Sequence, residues 1–253
     1  MTTTTLAYGS HPDQVADLYL PEKSTAPLIL LLHGGFWRQR VGREYATGVA
    51  RALVAGGAAV ANIEYRRVGG DGGWPLTFSD IAAALDSLPE LIDAATPGRI
   101  DRTRIVVVGH SAGGHLALWA MLRHRLPSRN AWYQEELPPI AAIVALAPVT
   151  DLAEAYRLGS GEDAVAEFLG GGPDQFGDRY AVAEPITLGP VPVPVIVVHG
   201  ELDQRVPVQM SRDYCAKTGA ELVELPGVDH FQLMDPDSPA WPAVRAEIDR
   251  AVP

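Results

Sequence analysis

The chain has one cysteine, Cys215, which excludes an intramolecular disulfide and any cysteine-built metal centre. Met210 to Lys217 around it have a helical pattern, so Cys215 is expected as a packed thiol. Basic charge is scarce: the net charge is −11 and only Lys23 and Lys217 are lysines, the opposite of the basic stripe that nucleic-acid binding requires. No apolar stretch approaches about 18 residues without a glycine, proline or charge, so no membrane span is expected. Met1-Thr2-Thr3-Thr4-Thr5 has neither a basic nor an apolar region of the kind that opens a secretory signal. Linker and repeat signals are also missing. The expectation is one cytoplasmic domain over residues 1–253, with a homodimer left open.

The sequence does contain a regular alternation of strand and helix signals. Residues 6–8 and 15–20 read as an antiparallel pair around the turn Gly9-Ser10-His11-Pro12-Asp13. A continuous apolar run at 28–32 reads as a strand covered on both faces; 58–65, 104–110, 140–146 and 193–198 read as further strands, with a last short one at 221–225. Helical patterns fall over 43–55, from a cap at Thr77 or Ser79 to about 94 with Pro89 interrupting, after residue 111, and over 241–251. This order predicts an α/β fold with a mostly parallel sheet of about eight strands and helices on both faces. Two stretches depart from it. Residues 127–139 form a polar loop, and residues 150–190 carry one modest helix at 162–169 and are expected as a small cap insertion.

The most informative segment is Val106-Val107-Val108-Gly109-His110-Ser111-Ala112-Gly113-Gly114, where a buried strand breaks into Gly-x-Ser-x-Gly and continues as a helix. That arrangement holds a serine hydroxyl at the top of a sheet, above a helix N-terminus. A dinucleotide fingerprint is also strand, glycine turn and helix, but Ser111 occupies the place of its middle glycine. About 20 residues on, Arg129-Asn130-Ala131-Trp132 stands where a ribose-binding acid belongs.

A serine hydroxyl needs a base, and the base needs an acid to orient it. Asp203 follows the strand ending Val197-Val198-His199-Gly200, and His230 lies in the loop after the last strand. Ser111, Asp203 and His230 are therefore the candidate nucleophile, acid and base. Asp229 and Glu201 are the rival acids. His33 and His199 read as structural residues, and Asp151 as a helix N-cap. Upstream, Leu32-His33-Gly34-Gly35-Phe36-Trp37 can present backbone N–H groups, so Gly35 and Phe36 with Ala112 are the candidate oxyanion hole. Trp37, Trp132 and Phe231 are candidate walls of a substrate pocket, with Tyr133 and Tyr156 as further aromatics.

His33-Gly34-Gly35-Phe36-Trp37, Glu64-Tyr65-Arg66, Gly109-His110-Ser111-Ala112-Gly113-Gly114, Ala147-Pro148-Val149-Thr150-Asp151, His199-Gly200-Glu201-Leu202-Asp203 and Asp229-His230-Phe231 together resemble the α/β-hydrolase superfamily. Within it the chain is similar to esterases with a His-Gly-Gly oxyanion motif. His-Gly-Gly-x-Trp is similar to the pattern of kynurenine formamidases (arylformamidases), which hydrolyse N-formylkynurenine. Esterases of the hormone-sensitive-lipase type usually carry a third glycine where Phe36 stands. The resemblance implies an α/β-hydrolase fold and a serine hydrolase acting on small carboxylic esters, without cofactor or metal. Amides of the aryl-formamide kind, a small peptidase on the same fold, and a non-catalytic binding module remain as alternatives.

Overall fold

A computed structural model describes residues 2–22 and 25–253. Eight strands form one sheet: β1 (Thr2–Ala7), β2 (Val15–Leu20), β3 (Ala26–Leu32), β4 (Ala59–Ile63), β5 (Ile100–His110), β6 (Ala142–Leu146), β7 (Val195–Gly200) and β8 (Glu221–Leu225). Their spatial order is β1-β2-β4-β3-β5-β6-β7-β8. β2 runs antiparallel to both β1 and β4, and every other pairing is parallel. The sheet is thus mostly parallel, as expected from the strand–helix alternation.

Strand periodicity divides the core in two. Leu28, Leu30 and Leu32 of β3 with Ile105 and Val107 of β5 face one side, where they meet α2 (Leu76–Ala95), α3 (Ala112–Ala120) and α8 (Val208–Thr218). Ile29, Leu31, Val106 and Val108 face the other and pack on α1 (Thr47–Ala55) and α9 (Trp241–Ala251). Both faces being covered explains why the inner strands are unbroken apolar runs. Pro89 lies inside α2, which continues to Ala95 without a break. No helix among the described residues is long and apolar enough to cross a membrane.

The stretch 150–190 differs from its expected single helix. It holds α4 (Leu152–Arg157), α5 (Ala164–Leu169), α6 (Pro173–Ala183) and α7 (Pro185–Leu188). The start signals are local: the Asp151 carboxylate accepts the Glu154 N–H at 2.7 Å, and α6 and α7 each open on a proline. These helices bury Leu152, Val165, Phe168, Tyr180 and Ile186 in the first core. Two hydrogen bonds from Arg38 join the stretch to the loop after β3. Arg38 Nε donates to Glu167 at 2.7 Å and its Nη2 donates to the Glu162 carbonyl at 2.6 Å.

His115, on α3, is fully buried with Nε2 at 2.9 Å from the Ala183 carbonyl. Burial pushes its pKa down to about 4, a fall only partly opposed by that bond. An unfolded histidine titrates near 6.5, so between these values the unfolded chain binds a proton that the folded chain refuses. Stability from this residue is therefore present above about pH 6.5 and lost as pH falls to about 4, by on the order of 3 kcal/mol. Buried His110, held low by burial and by the neighbouring His230, acts in the same sense. Urea unfolding at about pH 7 and about pH 4.5 should show the loss, and His115→Gln should reduce the difference between the two. An unchanged difference would remove His115 as its source.

Candidate active site

β5 delivers His110 and Ser111 to the carboxyl end of the sheet, between β3 and β6. Ser111 has φ 55° and ψ −117°, a conformation that costs a non-glycine residue about 1–3 kcal/mol and turns its side chain outward. The glycines on either side are sterically required. A Cβ on Gly109 would lie 2.4 Å from the Gly113 carbonyl oxygen, and one on Gly113 would lie 2.3 Å from that of Leu32. Strand, elbow and helix can close on one another only without those side chains. The Ser111 N–H donates to the Leu146 carbonyl at 2.8 Å, and the His115 N–H donates to the Ser111 carbonyl at 3.0 Å.

Asp203 lies beyond β7 with its side chain fully buried. Its Oδ1 accepts the N–H groups of Arg205 at 2.8 Å and Val206 at 2.9 Å. Oδ2 accepts His230 Nδ1–H at 2.6 Å and lies 3.1 Å from His199 Nε2. Burial alone would raise the Asp203 pKa, but the bonds from His199, His230 and the Val206 N–H prevail and hold it well below the carboxylate range. The acid is therefore ionised at neutral pH. A Cβ on Gly200 would lie 2.3 Å from the Val228 carbonyl oxygen, so the glycine after His199 lets the His230 loop pack against the end of β7.

His199 is packed as expected, but it also touches the acid, which the sequence reading does not anticipate. Its Nδ1 accepts the Ser211 hydroxyl at 2.7 Å, while Nε2 faces Asp203 and the Val206 carbonyl at 2.9 Å. Its place four residues before Asp203, at the strand end, is the signal that could have indicated this contact. On the other side, His110 Nε2 donates to the His230 carbonyl at 3.1 Å, with the two rings 4.5 Å apart. With Nδ1 on Asp203, His230 has Nε2 free to face substrate. No hydrogen bond joins Ser111 to His230 among the described residues. Both border one cavity of about 190 Å³, and such bonds commonly tighten only when substrate is bound.

Gly35, Phe36 and Trp37 after β3 all have positive φ, at 110°, 52° and 56°. A Cβ on Gly34 would approach the Ser111 Cβ to 3.1 Å, so this loop passes directly beside the candidate nucleophile. The N–H groups of Gly35, Phe36 and Ala112 have no hydrogen-bond partner among the described residues. His33 is structural, as expected. Its Nδ1 is 2.7 Å from the Gly34 carbonyl and Nε2 is 3.0 Å from Glu64, and its ring stacks on Tyr65 at 4.4 Å. Burial raises the Glu64 pKa, but the His33 contact and further partners bring it below its usual value.

Of the three aromatic residues expected on the pocket wall, only Phe231 lines the cavity. Trp37 is fully buried and stacks on Phe168 at 4.4 Å, because its left-handed backbone turns the indole into the core. Trp132 packs edge-on against Trp74 and Trp119 and donates from Nε1 to Ser79 Oγ at 3.0 Å. The sequence reading missed Arg40, Val41, Tyr45 and Arg205 as lining residues. Their nearness to the His-Gly-Gly loop and to Asp203 is the available signal. A larger hollow of about 500 Å³, bordered by Pro194, Ala220 and Arg250, contains none of the candidate catalytic residues.

The family model BD-FAE matches residues 16–217. Esterase LipC of Mycobacterium tuberculosis is 28% identical over 258 residues, covering 90% of this chain and 59% of that protein. The kynurenine formamidase of Danio rerio is 29% identical over 140 residues, covering 54% of this chain and 42% of its own. The chain thus spans roughly half the length of these relatives. Among solved structures, esterase B from Lactobacillus Rhamnosis superposes with a TM-score of 0.81 at 19% identity, covering 98% of this chain and 84% of that one. A truncated carbohydrate esterase from gut microbiota gives 0.77 at 20% identity, covering 99% and 96%. At these identities the structural likeness speaks for the fold, that of the α/β-hydrolases.

Proposed function

This chain belongs to the BD-FAE family, and from that premise we propose that it is a serine hydrolase of the carboxylesterase type, acting on small carboxylic esters. The observation that carries the proposal is the convergence of Ser111, the Asp203-bound His230 and the unpartnered loop amides on one cavity.

In the proposed mechanism, Ser111 Oγ attacks the ester carbonyl carbon while His230 Nε2 takes the hydroxyl proton. The carbonyl oxygen becomes an oxyanion facing the N–H groups of Gly35, Phe36 and Ala112. One such donor is commonly worth about 10²–10³ in rate. The ester C–O bond then breaks, His230 returns the proton to the departing alkoxide, and the acyl group stays on Ser111. Water attacks this acyl-enzyme with His230 again as base, releasing the acid and restoring Ser111. Asp203, ionised and buried, holds the imidazole and stabilises its charged form. The 150–190 stretch takes the part of a cap by fixing the Phe36–Arg38 loop through Arg38.

A second reading, hydrolysis of an aryl-formamide, is favoured by the likeness to the kynurenine formamidase. Turnover of a graded series of p-nitrophenyl esters should be compared with that of N-formylkynurenine. Higher kcat/KM on the short esters is expected, and a strong preference for the formamide would reverse the order of the two readings.

A further inference from the structure

The cavity beside Ser111 differs in charge from the rest of the chain. The net charge is −11, yet the cavity is bordered by Arg40 and Arg205 and by no carboxylate. Asp203 is sealed beneath His230 with no exposed side-chain surface. Asp229 does not border the cavity; it lines an adjoining hollow together with Arg205, His230 and Phe231, and its Oδ1 is taken by the N–H groups of Phe231 and Gln232 at 2.9 and 3.0 Å.

Most arginines elsewhere are engaged: Arg66 with Asp80, Arg123 with Asp86, Arg212 with Glu224, and Arg250 with Glu221 and Glu247. Among the described residues, Arg40 and Arg205 make neither an ion pair nor a side-chain hydrogen bond. Arg51 and Arg129 share that condition, but neither borders the cavity. Arg205 is further restrained, with its guanidinium 5.7 Å from the centroid of the Phe231 ring on the cavity wall. On the cavity wall itself the two unpaired guanidinium groups face no carboxylate, so the exposed charge that an entering substrate meets there is positive. Each guanidinium has the planar donor fork that suits a carboxylate.

We propose that Arg40 and Arg205 select substrates bearing a carboxylate close to the scissile bond. This inference rests on the hydrolase reading above and narrows its substrate class.

The test uses two matched pairs on the full chain. Phenyl acetate against 4-acetoxybenzoate places the anion on the leaving group, and phenyl hexanoate against monophenyl adipate places it on the acyl chain. The measured quantity is the anionic-over-neutral ratio of kcat/KM. Replacing both arginines by alanine should lower that ratio about tenfold or more in at least one pair, and the pair affected identifies which side of the ester carries the charge. The double lysine variant should retain part of the ratio. Raising salt from about 0.02 to about 0.5 M should lower it in the wild type and leave it nearly flat in the alanine variant. A ratio unmoved in both pairs, with neutral esters still turned over through Ser111, would overturn this inference alone. If none of the four esters is hydrolysed, the hydrolase reading falls and this inference falls with it.

Discussion

Ser111→Ala is expected to lower kcat for ester hydrolysis by on the order of 10⁴–10⁶ while leaving the fold in place. The hydroxyl is the proposed attacking group, so its removal leaves only what the loop amides and cavity can do with a water molecule. The structural cost should be small. The Ser111 side chain has no hydrogen-bond partner among the described residues, so alanine leaves no polar group of a neighbour unsatisfied. Alanine tolerates the positive φ of 55° about as poorly as serine does, so the strain is unchanged. A thermal melt close to wild type, together with lost turnover of a p-nitrophenyl ester and lost labelling by a fluorophosphonate probe, is the expected combination. Retained turnover in a clean preparation would exclude Ser111 as the nucleophile, whatever the fold.

The parts of the molecule that were legible in the sequence are those governed by local rules. Leu28 to Leu32 and Val195 to Val198 read as strands because both faces of the sheet are covered and nothing polar interrupts them. Ser111, Asp203 and His230 are read as candidates from their places at strand ends; Ser111 and His230 border the cavity, and Asp203 lies buried against His230. The helices between 150 and 190 were harder, since α6 is polar and its start is marked mainly by Gly172 and Pro173 rather than by an apolar stripe. Side-chain direction was not legible at all. Trp37 follows the oxyanion loop in sequence yet faces the core, because three successive positive-φ residues rotate it there. Arg40, Tyr45 and Arg205 reach the cavity through tertiary folding, which periodicity does not encode. The His199 contact with Asp203 likewise depends on the turn after β7 closing around one carboxylate.

That turn makes Asp203→Asn the second large effect, with kcat falling by about 10⁴. Four donors converge on the carboxylate: two backbone N–H groups on Oδ1, and His230 and His199 on Oδ2. An asparagine has one oxygen and one NH₂, so in either orientation two of those donors meet another donor. If the NH₂ faces the imidazoles, His230 is driven to the wrong tautomer. If it faces the turn, the Arg205 and Val206 amides lose their acceptor and the turn that sets His230 loosens. Either way stability should fall by about 2–4 kcal/mol at neutral pH, because buried donors are left unpaired. The pH dependence separates this from a general packing defect. Asp203 titrates below its unfolded value of about 3.9, so its contribution is complete above that pH and is lost as pH falls towards the folded pKa. The wild-type advantage over Asp203→Asn in urea unfolding should therefore shrink between about pH 6 and about pH 3. The protonation of His115, whose surroundings do not include Asp203, occurs in both proteins and cancels in the difference. A gap that stays constant over that range would mean that the carboxylate's charge contributes nothing there, and that Asp203 holds His230 by shape alone.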